Sequence, residues 1–591
     1  MADEEREPLI AGPSDDEFPL MVGVSDSAGT AAESDREDKL SEVVPNDEVI
    51  EYLVDIPPEL DTKGFSWRKL WAFAGPGWLM SIAYLDPGNI ESDLQSGAIA
   101  RYQLLWILLS AHILGFTLQR LSARLGVVAG KNMAEVSREF YPKVPRIFLW
   151  IMIELAIIGS DMQEVIGTAV AIYMLSNGAI PLLFGVVITV VDVMLFMCID
   201  HFGFRKVEAL FAFLISTMAA SFGYEFFTAK PDPLALAKGM FIPWCSDCGR
   251  KEFLQGISVV GAVIMPANLY LHSALVRSRR IDRSKKHKVT EANYYYFIES
   301  GIALFCSFII NLFVVGVFAQ GLFRKTNNDV HKLCANKTGI LDPTNIFPHD
   351  DDLVDADLYK GGIFLGCEFG IAALYIWAVG ILASGESSTI TGTYCGQFVM
   401  DGFLRITWPR WRRVLITRLI AIMPTLMVTL FASGITSLTG MNDLLNCLQM
   451  IILPFALLPI LTFNSSKHIM FEYRSSRRFQ FFALLVSFVV IAINLYFSVD
   501  YIFGAFGTAW YVLLAMSGPV ALYITFVVYL VFSCLVTMEI CTDKLVKGTW
   551  LSPNFGPLSI KPLWQNRVGD GSSTPDSYGS TSTTTVPIQE Q

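Results

Sequence analysis

The sequence predicts an all-α polytopic membrane protein of about twelve spanning helices, ten of them in two inverted five-helix repeats with two more added at the end. Three observations lead there. The 591 residues are 53% apolar and only 17% charged, where a soluble domain carries about 25% charged residues. Apolar stretches long enough to cross a bilayer recur along the chain, and mean hydropathy is +0.46. Two of these stretches are interrupted near their middle by the same kind of sequence. The composition excludes a disordered protein, a coiled coil and an ordinary soluble enzyme. Ten cysteines are too sparse for a disulfide scaffold.

Residues 1–64 read as a disordered, acidic cytosolic tail. Residues 1–63 hold 19 Asp/Glu against 4 Lys/Arg, so the tail near −15 outweighs the chain's net −11 and leaves the remainder slightly basic. The start lacks the basic residues and apolar core of a signal peptide, so the first internal helix is expected to direct insertion. Glu5-Arg6-Glu7-Pro8-Leu9-Ile10 resembles an acidic dileucine signal, with Glu5, Leu9 and Ile10 as its anchors and a sorting adaptor as its partner. An accidental acidic stretch is the alternative. Residues 542–591 form the second tail, Ser/Thr-rich between Gly569 and Thr585.

Between the tails, residues 65–541 supply the spans. The candidates are 69–96, 103–127, 147–174, 180–199, 206–226, 256–276, 292–320, 361–395, 414–433, 441–463, 480–499 and 509–540, each near the ~20 residues a bilayer requires. Basic loops follow spans 2, 6, 8 and 10, with Arg277, Arg279, Arg280, Arg283, Lys285, Lys286 and Lys288 after span 6. The positive-inside rule makes that side cytosolic, and an even count puts both termini there. The loop after span 7 lies opposite. It is acidic (Asp350, Asp351, Asp352) and holds the glycosylation acceptor Asn336-Lys337-Thr338. Asn464-Ser465-Ser466 falls on the cytosolic side and should stay unmodified. Cys245 and Cys248, in the outer loop before span 6, form a luminal disulfide or remain two thiols rather than a metal site.

Spans 1 and 6 carry the chemistry. Span 1 reads Asp86-Pro87-Gly88-Asn89 and span 6 reads Met265-Pro266-Ala267-Asn268. Proline removes a backbone donor and blocks the carbonyl four residues back. Carbonyls freed at membrane depth are tolerated only in a cavity or inside protein. Breaks five spans apart are the mark of inverted repeats with a substrate site between them. Plain proline kinks are the alternative, but a carboxylate such as Asp86 at mid-membrane is costly and points to function. Asp86 offers hard oxygen, Asn89 a carbonyl oxygen and Met265 a soft thioether. Freed carbonyls near Ala83 and Ala262 can complete the shell. This mixture suits Mn²⁺ or Fe²⁺ better than Mg²⁺ or Ca²⁺, which take oxygen alone.

These residues, with Gly392-Thr393-Tyr394-Cys395-Gly396-Gln397 after span 8, resemble the Nramp family of divalent metal transporters. The resemblance runs from about Phe65 to the end of span 12 and is closest to animal members through Trp71-Ala72-Phe73 and the run from Gly75 to Gly97. It implies a LeuT-like fold and import of Mn²⁺ and Fe²⁺ with protons, with no resident cofactor. It implies ligation by Asp86, Asn89, Met265 and the carbonyls of Ala83 and Ala262, with Asn446 of span 10 as a further oxygen.

Span 3 places Glu154, Asp161 and Glu164 on one helical face. Three acids on a membrane helix suggest a proton path, with Arg418 of span 9 as counter-charge, and the resemblance implies the same. A structural ion-pair network is the alternative.

Two residues depart from the family pattern. Span 6 has Ala267 where the motif has histidine, although His272, its second histidine, remains. Loss of a group that titrates near neutrality predicts weaker proton coupling and selectivity widened toward Ca²⁺. Glu386 stands where animal relatives carry glutamine, and we place it near the cytosolic end of span 8, where a solvated carboxylate is the simpler reading. Other classes are an amino-acid or Na⁺ symporter on the same fold, or a membrane metal receptor or sensor. No P-loop or H-E-x-x-H motif supports an enzyme, and nucleic acid is not an expected partner. An endosomal, lysosomal, vacuolar or plasma membrane is the expected location.

Overall fold

The first apolar stretch is not one helix but three: α1 (Trp67–Phe73), α2 (Pro76–Ile82) and α3 (Pro87–Ala100). The computed structural model describes residues 54, 56, 65–189, 191, 204–246, 248–335, 346–404, 410–431, 435–506, 510–542, 549–556 and 558. The sorting residues Glu5, Leu9 and Ile10, the acceptor Asn336 and the Ser/Thr-rich end lie outside them. Tyr52–Gln591 cluster as one unit.

Next come α4 (Leu105–Ala129), α5 (Met133–Phe140) and α6 (Lys143–Leu175). Residues 182–189 are also helical, and α7 (Phe204–Ala229) and α8 (Pro233–Phe241) follow. The second broken stretch gives α9 (Arg250–Val263) and α10 (Pro266–Leu275), then α11 (Lys286–Gly321), α12 (Asn327–Cys334), α13 (Leu358–Phe369) and α14 (Ile371–Leu404). The chain continues through α15 (Arg410–Phe431), α16 (Ile435–Ile452), α17 (Pro454–Ser465), α18 (Lys467–Met470), α19 (Arg477–Phe506) and α20 (Trp510–Thr537). Among the described residues β pairing is limited to isolated bridges, Val54 with Arg279 and Thr326 with Leu353.

Proline sets the breaks. Pro76, Pro87, Pro266 and Pro454 each stand in the first turn of a helix, where the missing N–H costs nothing and the fixed φ helps. Pro454 also splits span 10 into α16 and α17, a break the sequence reading treated as continuous helix. Span 8 is displaced as well. It starts after Gly370, which turns the chain at φ +99°, and it runs to Leu404 rather than 395.

Among the described residues, seven helices are long and apolar enough to cross a membrane by length and composition. They match spans 2, 5, 6, 7, 8, 10 and 12. Span 1 drops out because it is broken into short pieces. Span 3 is a 33-residue helix that carries the acids Glu154, Asp161 and Glu164 within its apolar stretch. The half-helices α2, α3, α9 and α10 form the centre: α3 packs on α9 and α11, α10 on α4, and α9 on α16. Helix α14 lies along α6 in the most extensive helix–helix contact described. Gly392 allows that approach, since a Cβ there would stand 2.5 Å from Asp161 Oδ1 and 3.1 Å from Glu164 Oε1.

Two disulfides are present among the described residues: Cys245–Cys248 just before α9, and Cys334–Cys367, which joins α12 to α13. The first joins the two cysteines of the C-x-x-C pair. The second joins residues 33 apart in a sequence that gave no spacing signal for it. Asn464 is buried and accepts from Arg124 Nη2 at 2.9 Å, so this second acceptor motif serves as packing.

Candidate metal site

At the first break the helix stops at Ile82 and resumes at Pro87. Asp86 has extended backbone (φ −70°, ψ 164°) and caps α3. Its Oδ1 accepts from the Asn89 backbone N and from Asn89 Nδ2, both at 2.7 Å. Capping of this kind satisfies a donor that the helix start leaves orphaned. Its Oδ2 is buried with no hydrogen-bond partner, and so is Asn89 Oδ1. The residue as a whole is 1% exposed. A buried carboxylate oxygen without a donor is costly in a membrane protein, and such a group marks a site where a cation can sit.

At the second break α9 ends at Val263, and Met265 (φ −77°, ψ 131°) precedes α10. Ser160 on α6 donates toward the Met265 sulfur at 4.0 Å. Asn268, one turn into α10, donates its amide to the Ala83 carbonyl at 3.1 Å. One side chain thus ties the two breaks together and takes one lone pair of a predicted ligand.

A cavity of about 20 Å³ lies between the breaks, room for one water-sized guest. Its walls include Asp86, Ala83, Met265, Ala267, Asn268, Ser160 and Glu164, with Ser388, Thr391, Gly392 and Cys395 of α14. Of the predicted donors, Asp86, Met265 and Ala83 line this cavity. Asn89 stands behind Asp86 as its partner. Ala262 is buried inside α9. Asn446 turns toward α6, its Oδ1 accepting from Gln163 at 2.8 Å. The α14 wall was not foreseen as part of the site. Its signal was present all the same, because 388, 391, 392 and 395 repeat at the spacing of one helical face.

A family model described as natural resistance-associated macrophage protein-like matches residues 77–500. The chain belongs to the Nramp family of divalent metal transporters. It is 60% identical over 492 residues to the NRAMP-like transporter smf-1 of Caenorhabditis elegans, covering 83% of this chain and 87% of that one. It is 56% identical over 481 residues to natural resistance-associated macrophage protein 2 of Mus musculus, covering 81% and 84%. The Eremococcus coleocola manganese transporter superposes with a TM-score of 0.69 at 29% identity, covering 83% of this chain and 98% of that one.

In this Nramp chain Glu164 connects the cavity to the acids of α6. Asp161 and Glu164 both face Gly392 of α14. Glu154 lies on the same face, two turns nearer the end of α6 that starts at Lys143. Arg418 belongs to α15, and its side chain is outside the described residues. His272 is fully buried in α10 and does not line the cavity. Glu386 requires a correction. Because span 8 begins at Ile371 and ends at Leu404, Glu386 sits mid-helix and half-buried, not near the cytosolic end. It is two residues from Ser384 and from Ser388, so it faces away from the cavity.

Two hydrogen-bond networks flank the broken helices of this Nramp chain. At the end that carries the basic loops, Arg279 is 1% exposed. It donates to the Ala72 carbonyl at 3.1 Å, to the Ala74 carbonyl, and to Glu208 Oε1 at 2.7 Å. Glu299 accepts from the backbone of Gly75 at 2.5 Å and Gly77 at 3.0 Å. Gly75 holds φ +144°, and a Cβ there would stand 2.0 Å from Glu208 Oε1, so only glycine fits. At the other end Asn442 donates to Glu91, Gln95 to Asp443 at 3.5 Å, and Gln255 to the Ser92 carbonyl at 2.9 Å. These bonds tie α3 to α16 and α9.

Proposed function

We propose that this protein is a secondary transporter that moves Mn²⁺ and Fe²⁺ across a membrane into the cytosol, with proton coupling weakened by Ala267. The cavity carries the reading. It has room for one water-sized guest, and its walls include Asp86, whose Oδ2 has no hydrogen-bond partner, and Met265. A bare divalent cation of intermediate softness matches both groups. An amino acid does not fit the volume. Two matched helix breaks with a cavity between them suit alternating access better than a receptor.

Glu154, Asp161 and Glu164 are the proposed proton route, since they run from the cavity toward the end of α6 next to the basic loops. Without an imidazole at 267, the cavity wall lacks the side chain whose ordinary pKa lies nearest neutrality. Ca²⁺ entry is the limiting case of a widened site. The cytosolic orientation rests on the basic loops. Vesicular residence rests on the dileucine-like segment.

The test is radiotracer uptake into proteoliposomes of the full chain at pH 5.5 and 7.5, with Ala267→His beside it. Saturable Mn²⁺ uptake that changes little with pH, and acid stimulation in the variant, support the reading. No Mn²⁺ flux by either protein rejects transport. Strong acid stimulation of the unaltered chain rejects the weakened coupling.

A further inference from the structure

The α14 wall of the cavity brings a second sulfur atom to the site. Ser388, Thr391, Gly392 and Cys395 line the cavity together, and their spacing of three, four and seven puts them on one helical face. The Cys395 thiol is 2% exposed. It donates to the Ala267 carbonyl at 3.3 Å, so it touches the very residue where the family motif has histidine. Asp86, 1% exposed with Oδ2 unpartnered, borders the same space. Met265 supplies the other sulfur. One ion-sized cavity is thus bounded by a free carboxylate oxygen, a thioether and a thiol.

We propose that Cys395 is a soft donor of the transport site and sets its preference for thiophilic divalent cations, with Cd²⁺ the diagnostic case. This rests on the transport reading above and deepens it. Thiol and thioether ligands select soft cations, while carboxylate and carbonyl oxygens suit Mn²⁺ and Ca²⁺. An imidazole at 267 would add a borderline nitrogen to this wall and crowd the thiol. With only the methyl of Ala267 in that place, the Cys395 sulfur is the soft group that α14 brings to the cavity. The widening of the site therefore extends toward Cd²⁺. A buried cysteine that merely fills space behaves as a small hydrophobe, and it would treat all cations alike.

The experiment is competitive uptake of Mn²⁺ and Cd²⁺ by the full chain in proteoliposomes, for the unaltered protein, Cys395→Ser and Cys395→Ala. We expect the apparent affinity for Cd²⁺ to fall about ten-fold in both variants, the scale of loss when a metal site is disturbed, and that for Mn²⁺, which leans on oxygen donors, to fall by a clearly smaller factor. Equal loss for both cations, or none for Cd²⁺, overturns the proposal. Absence of flux from the unaltered protein would overturn the transport reading instead. A second measurement then still decides the donor: labelling of Cys395 by a small methanethiosulfonate, with Cys395→Ser as the control for the other free cysteines. Cd²⁺ that blocks labelling supports ligation, and labelling that Cd²⁺ leaves unaffected rejects it.

Discussion

The two broken helices are matched in position and opposite in chemistry. The first break is held by side-chain hydrogen bonds: Asp86 receives two from Asn89 and keeps one oxygen unpaired. The second break offers carbon and sulfur, with Met265 at the helix start, Ala267 behind it and Cys395 against its backbone. One repeat thus supplies charge and hard oxygen, and the other supplies softness. In the proposed function, an ion between them meets both kinds of donor, which neither half offers alone.

Breaking the hard half should have the largest effect. Asp86→Asn keeps the shape and removes the charge, and we expect Mn²⁺ uptake to fall about 100-fold, the upper range for disturbed metal sites. Initial rates of tracer uptake check this, and an unchanged rate would mean the first break is only a kink. Met265→Ala should be milder, about ten-fold in apparent Mn²⁺ affinity, with Ca²⁺ gaining relative to Mn²⁺ in competition assays. Equal loss for both cations would remove the distinction between the halves. Asn268→Ala cuts the bond that joins them, at a cost of about 1 kcal/mol in stability. It should show as a lower melting temperature in detergent, with cation order preserved. Smallest is Ala267→His, where a modest acid stimulation of Mn²⁺ uptake is expected from pH 7.5 to 5.5. A flat pH profile in that variant would place coupling wholly on the α6 acids.

How much of this was readable in the sequence depends on the kind of signal. Pro87 and Pro266 announce their breaks because proline acts on its own helix. Glu154, Asp161 and Glu164 announce one face because helical periodicity is local. Helix existence was readable for the same reason. Pro454 was missed since the apolar run around it contains no charge or polar residue to mark a break. The start of span 8 was misplaced because α13 and α14 are both apolar and only Gly370 divides them. That shift carried Glu386 from mid-membrane to a presumed end. The α14 wall was missed because a cavity is a property of several helices meeting. Ser388, Thr391 and Cys395 look like ordinary small residues until α6 and α10 stand beside them. The Arg279 network was hidden in the same way, as one more basic residue in a basic loop.

The Arg279 network has a consequence for water. Arg279 and Glu299 together hold two helix-end carbonyls and two glycine amides of the segment leading into α2. To swing this segment aside, those four backbone groups must find other partners, and bulk water is the available one. In the proposed transport cycle, opening toward the basic-loop end is therefore a wetting event as much as a rotation. Osmolytes that withdraw water from the protein surface should lengthen the shut interval, while leaving cation binding in the cavity untouched.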